Sequence, residues 1–178
     1  MITINKNIQL QPILATDVAM LQGLMQVIYP PAYKHFWKDN GDFYINKQYS
    51  EENILKELLE ENAAYYFILF NGQIIGNLRF LWDEKLAGIS EEKQVKLHRI
   101  YLLPKTQSKG IGKAVLLWLE EKTKQKEYQV IWLDAMDEQQ QAFQFYKKRG
   151  YQYHSHVFLT FELMLPEFRK MNQIYKVL

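Results

Sequence analysis

Two glycines in Gln107-Ser108-Lys109-Gly110-Ile111-Gly112 are the first residues of this chain whose spacing could do chemistry. A Cβ at either position would hold a phosphate away from the backbone, so glycine lets the peptide N–H groups close on an anion. Lys109 and Lys113 stand beside them and could add charge. This is not a Walker loop, because Gly110-Ile111-Gly112-Lys113 lacks the four-residue spacer and the Ser or Thr after the lysine. Nor is it a dinucleotide fingerprint, since the third glycine is missing. On the hexapeptide alone, an anion site and a plain glycine turn stay equally open.

Other reactive side chains are scattered. From Tyr29 to Tyr49 the pattern loses its period and fills with aromatic residues, with His35, Asp39 and Asp42 among them. Buried loop packing is one reading. An aromatic and acidic surface for a cationic ligand, with Tyr33, Trp37 and Asp39 foremost, is the other. His98 lies in an extended run, and a side chain that titrates near neutrality could serve as a base, although most lone strand histidines are structural. His154 and His156 share one strand face without a carboxylate at ligand spacing, so no metal is expected. The chain has no cysteine, which excludes disulfides, thiolate metal sites and a cysteine nucleophile.

The elements that must position these residues follow from periodicity. Ile8 to Ile13 alternates as a half-buried strand. Thr16 opens a helix with Val18, Leu21, Leu24, Met25 and Ile28 on one face, and Pro30-Pro31 predicts its stop. Ser50 caps a second helix with Ile54, Leu55, Leu58 and Leu59 inward. Tyr65–Phe70 and Gln73–Phe80, joined by Asn71-Gly72, form the clearest hairpin. Lys96 to Leu103 is a strand ended by Pro104, and Ala114, Leu117, Trp118 and Glu121 mark a helix after the glycines. Val130 to Ala135 is a buried strand reached by a crossover, hence parallel to the one ending at Leu103. A helix from Glu138 to Arg149 follows, stopped by Gly150, with Tyr146 on its apolar side as a core tyrosine would be. Strands at Tyr151–Leu159 and Ile174–Val177 close the chain.

At 178 residues with 48% apolar content, residues 1–178 predict one folded domain. A net charge of +2 argues against a nucleic-acid partner. The amino terminus has no basic segment leading into an apolar run, and no stretch approaches the roughly 18 apolar residues of a membrane span. A cytoplasmic protein without a membrane partner is the expectation.

The order strand–helix–helix–three strands–(Q-x-x-G-x-G)–helix–strand–helix–strand resembles the GNAT superfamily of acyl-CoA-dependent N-acetyltransferases over nearly the whole chain. Gln107 to Gly112 matches the family's (Q/R)-x-x-G-x-(G/A) pyrophosphate loop. Ala142-Phe143-Gln144-Phe145-Tyr146, followed by Gly150-Tyr151, matches the A-x-x-F-Y run that carries its usual catalytic tyrosine. Within the superfamily the chain is most similar to bacterial PaiA-type polyamine acetyltransferases, through Arg99-Ile100-Tyr101, Ile131-Trp132-Leu133 and Phe145-Tyr146-Lys147-Lys148. It departs from its relatives at Gln139, where the family often has Asn, and at His98, where spermidine/spermine acetyltransferases have an acidic base.

The resemblance implies an α+β fold, a three-layer α/β/α sandwich. Its sheet would be mixed and mainly antiparallel, with one splayed parallel pair. It implies acetyl-CoA as co-substrate and no metal. The pantetheine arm would lie along Ile100, Tyr101 and Leu102, and the pyrophosphate on Gln107, Ser108, Lys109, Gly110, Ile111 and Gly112. Gln139 and Lys148 would be further cofactor contacts. The Ile100 N–H would meet the oxyanion, Tyr146 would be the general acid and His98 the general base. The acceptor would be a small-molecule amine, a polyamine among the candidates, attacking directly in a ternary complex. A non-catalytic acyl-CoA-binding module, a nucleotide-binding regulatory module and a protein or peptide amine stay open. A homodimer is within the family's habit, although no surface in the sequence marks one.

Overall fold

The computed structural model describes residues 1–106 and 108–178; Gln107 lies outside the described residues. Alternating burial decides the architecture. In β3 (Ala63–Phe70), Tyr65, Phe67 and Leu69 enter one core while Ile68 enters the other. A strand buried on both faces needs cover on both. One face is covered by α1 (Val18–Tyr33), α2 (Asp42–Gln48) and α3 (Glu51–Leu58). The other is covered by α4 (Ile111–Gln125) and α5 (Gln140–Lys147). The result is the expected three-layer α/β/α arrangement.

The sheet adds β1 (Ile2–Thr3), β2 (Ile8–Pro12), β4 (Gln73–Trp82), β5 (Gln94–Leu102), β6 (Val130–Met136), β7 (Gln152–Phe158) and β8 (Lys170–Val177). Its order is β1-β2-β3-β4-β5-β6-β8-β7. The β5–β6 pair is parallel, and the other neighbours are antiparallel.

Local expectations fail at several places, and Thr16 lies inside a short turn of helix over Ala15–Asp17 rather than opening α1. α1 runs through Pro30 and Pro31 to Tyr33, past the stop that the proline pair predicts. The missing N–H groups would have served the carbonyls of Gln26 and Val27, two exposed residues that water reaches, while Ile28 and Tyr29 stay buried and hold the last turn down. α2 occupies a stretch that reads as aperiodic, because its aromatic residues face several directions into one packed cluster. Leu59, expected inward, follows the end of α3 and is 81% exposed. β8 starts four residues before its apolar end, paired with β6 as far as Met136↔Met171.

Two features of β5 position everything that follows. The β4–β5 register steps from Phe80↔Leu97 to Arg79↔Arg99, leaving His98 as the extra residue of a bulge. Leu97, Ile100 and Leu102 therefore all serve the α4 side, while Arg99 and Tyr101 face the α1–α3 side. Past the bulge, Gly76 stands opposite Leu102. A Cβ on Gly76 would fall 2.1 Å from the Tyr101 carbonyl oxygen, so only glycine permits this approach. Gly76→Ala is expected to lower unfolding free energy by about 3 kcal/mol, read by urea denaturation. An unshifted midpoint would show that the strands have room to separate.

Candidate active site

β5 and β6 pair only from Gln94↔Val130 to Leu97↔Leu133. Beyond those rungs β5 stays with β4, and β6 stays with β8. Peptide groups along a strand point alternately to its two sides. The Leu103 N–H donates to the Ile75 carbonyl at 2.8 Å, and the Tyr101 carbonyl lies against Gly76, so peptides 101 and 103 face β4. Those of Ile100 and Leu102 therefore face the gap. Of the strand-end contacts that the resemblance implies, Tyr101 must be corrected: its peptide is committed to β4 and only its side chain reaches the site.

The start of α4 sits at the head of this gap. Gly110 precedes it at φ +76, with nothing within 4 Å of where a Cβ would stand. No side chain caps the helix, and its first backbone bond is Ala114 N–H to the Gly110 carbonyl at 3.0 Å. Among the described residues, the amides of Gly112 and Lys113 have no acceptor. Gly112 presents its Cβ position 3.7 Å from Leu102 and 4.0 Å from Phe145, which ties the turn to β5 and α5. Ser108 and Lys109 are exposed on the same turn. An uncapped helix start with glycine on its approach suits a phosphate, and the open peptides of Ile100 and Leu102 suit an amide-bearing arm. These residues fit acetyl-CoA.

A cavity of about 350 Å³ opens where the strands part, lined from both faces of the sheet, by α1 and α2 on one and by Ala142 and Tyr146 of α5 on the other. Tyr146 lines it and is 7% exposed. Its ring is held by Phe145 and Tyr151 at 5.1 and 5.4 Å between centroids. Burial, then the nearby Tyr33, pushes the Tyr146 hydroxyl above its ordinary value, so it keeps its proton at working pH. Tyr33 and Trp37 also line the cavity, Trp37 with its indole N–H donating to the Tyr29 hydroxyl at 3.0 Å. Gln139 lines it too, its amide reaching the Ala32 carbonyl at 3.4 Å. Lys148 is not brought in: it is exposed at the C-cap of α5. Asp39 is not brought in either. Its carboxylate accepts from the N–H groups of Gly41 at 3.1 Å and Phe43 at 2.6 Å, organising its own turn.

His98 lines the cavity, but not as a group that titrates near neutrality. Burial first, then Arg99, Arg79 and Lys96, lowers its pKa to about 2. The Arg79 guanidinium donates to its Nδ1, so the ring is neutral and its remaining proton sits on Nε2. A base role that rested on near-neutral titration does not hold. Behind His98 lies a network that sequence reading missed. Glu57 on α3 bonds Arg99 at 2.6 Å and sits 3.7 Å from Arg79, which pairs with Glu60 at 2.5 Å. Arg79 and Arg99 are 2% and 6% exposed. The signal was there: Arg79 stands between Leu78 and Phe80 in an apolar strand, and a charge so placed requires a partner. Also missed was Asp134 on β6, which pairs with Lys96 at 2.8 Å on the cavity wall.

Residues 25–151 match the acetyltransferase (GNAT) family model. The chain is 27% identical over 129 residues to an uncharacterized N-acetyltransferase in the pepI 3′ region of Lactobacillus delbrueckii subsp. lactis, covering 70% of this chain and 75% of that protein. Its fold is similar to that of the PaiA N-acetyltransferase of Thermoplasma acidophilum, solved with coenzyme A. The TM-score is 0.73 at 20% identity, over 96% of this chain and 99% of that one. It is also similar to a variant of the spermidine N-acetyltransferase SpeG of Vibrio cholerae, at TM-score 0.64 and 15% identity, over 97% and 95% of the two chains.

The half-buried, neutral His98 has a consequence for stability. The unfolded ring binds a proton below about 6.5, whereas the folded ring declines it until about pH 2. The unfolded state then holds more protons, so stability rises with pH across that window and falls on acidification. Between pH 7.5 and 5.5 the loss from this one ring is about 1 kcal/mol. His98→Gln is expected to flatten that part of the curve in denaturant titrations, and an unaltered slope would count against the neutral ring.

Proposed function

This chain belongs to the acetyltransferase (GNAT) family, and from that premise we propose that it moves an acetyl group from acetyl-CoA to the primary amine of a small molecule. The observation that carries the reading is the parting of β5 and β6 after Leu97 and Leu133, beside the uncapped start of α4. A polyamine is one such amine.

When bound, acetyl-CoA supplies a thioester whose carbon bonds the amine nitrogen as the C–S bond breaks, so nitrogen loses a proton and sulfur needs one. The N–H groups of Gly112 and Lys113, with the glycine turn and Lys109, hold phosphate. The free peptides of Ile100 and Leu102 align the arm, and the Ile100 N–H donates to the oxygen where negative charge develops. Tyr146 keeps its proton until the leaving thiolate, whose basicity the same burial raises, accepts it, and the proton lost by nitrogen passes through water to restore the phenol. Gln139 closes one wall by spanning from the start of α5 to the end of α1. No cysteine is present to carry an acyl group, so the amine attacks directly with both substrates bound.

Tyr146→Phe is expected to lower turnover about 10²-fold in a thiol-release assay, with acetyl-CoA affinity by calorimetry little changed. Unaltered turnover would remove the tyrosine from the chemistry. Initial velocities with both substrates varied are expected to give converging double-reciprocal lines. Parallel lines would rule out the ternary complex.

A further inference from the structure

Resting on the reading above, we propose that the acceptor is a monoamine with a planar apolar body, an arylalkylamine in chemical class, rather than a polyamine. The argument is one of charge and shape in the cavity where β5 and β6 part. Eight of its lining residues supply flat aromatic rings, among them Tyr29, Tyr33, Trp37, Tyr44, Tyr101 and Phe161. They pack on one another, with Tyr29 stacked on Tyr44 at 4.6 Å, Trp37 at 5.3 Å from Tyr44 and Tyr33 at 6.1 Å from Tyr101. Such walls fit a slab-shaped guest. Burial pushes Tyr33 up to about 12, and it pushes Tyr29 and Tyr101 up as well, so these phenols carry no negative charge at working pH.

Among the described residues, the charged groups on the wall are Lys96, Arg99 and Asp134. Asp134, the carboxylate among them, is already held by Lys96 at 2.8 Å and by the Gln173 amide at 3.2 Å. Arg99 is matched by Glu57, and His98 is neutral. The acidic residues of the aromatic stretch do not help: Asp39 is turned onto its own backbone and Asp42 is exposed. Among the described residues, no carboxylate on the cavity wall is left to receive a second ammonium; Glu138, off the wall but near Tyr33, is engaged by His35 at 3.4 Å and by the Gln139 amide at 3.2 Å. A polyamine would bring at least one such group into the cavity without a counter-charge, and cation–π contact recovers less than an ammonium loses on leaving water. A monoamine escapes this cost, because its one nitrogen must be neutral to react. Apolar walls favour that neutral form by withholding water from the ammonium, and the proton shed once nitrogen bonds the acyl carbon passes to water.

The test compares phenethylamine and tryptamine with putrescine and spermidine, by calorimetry on the CoA-bound protein and by thiol release with acetyl-CoA. Arylalkylamines are expected to bind, and to give kcat/KM, at least about tenfold better. Spermidine or putrescine equal or better in binding overturns the inference. Thiol release from no amine, with the binding order as expected, supports the acceptor class while overturning the acetyl-transfer reading. Lys96→Met, which frees the Asp134 carboxylate, is expected to shift the putrescine-to-phenethylamine ratio about tenfold toward the diamine. An unchanged ratio in a variant folded by circular dichroism overturns the charge argument.

Discussion

Each of the two central strands is held more firmly by its outer neighbour than by the other. β6 pairs with β8 over its full length, from Val130↔Val177 to Met136↔Met171. β5 pairs with β4 from Trp82↔Val95 to Gly76↔Leu102. The twist natural to a sheet would ordinarily be shared across such a seam. Here the bulge at His98 bends β5, and Gly76 lets its far end lie close against β4, so divergence is the relaxed state. The open peptides of Ile100 and Leu102, the cavity and the placing of α4 all derive from that parting.

The bulge also explains why two arginines are buried. It turns Arg99 to the same side as Arg79, under α3, where Glu57 meets both and Glu60 completes the set. Buried ion pairs of this kind add little net stability, because desolvation offsets the attraction. Their effect is positional: they fix α3 and the edge of the cavity relative to β5. They also place two guanidiniums beside His98, which is why that ring does not titrate as an exposed one would.

Much of the fold could be read in the chain, because the hairpin at Asn71-Gly72, the crossover to Val130 and the glycine turn are local patterns. So could the placing of Tyr146 and Gln139 on one cavity, since both sit on the helix carrying the A-x-x-F-Y run or at its start. What escaped is decided by partners that the local pattern does not name. That Asp39 serves Phe43 rather than a ligand is decided by the turn around it. The neutral His98 depends on Arg79, nineteen residues away on another strand. The passage of α1 through Pro30-Pro31 depends on which side of the helix meets water.

The sheet behaves as two plates joined along a short weld. β1 to β5 form one plate and β6, β8 and β7 the other, and four rungs join them. α4 lies across the join, with Val115, Leu116 and Leu119 packed in the same core as Val95 and Leu97 from one side and Ile131 and Leu133 from the other. A guest laid in the notch beyond the last rung would touch both plates and act as a rivet. The notch proposed to receive the ligand thus lies where the two halves of the sheet share only four rungs.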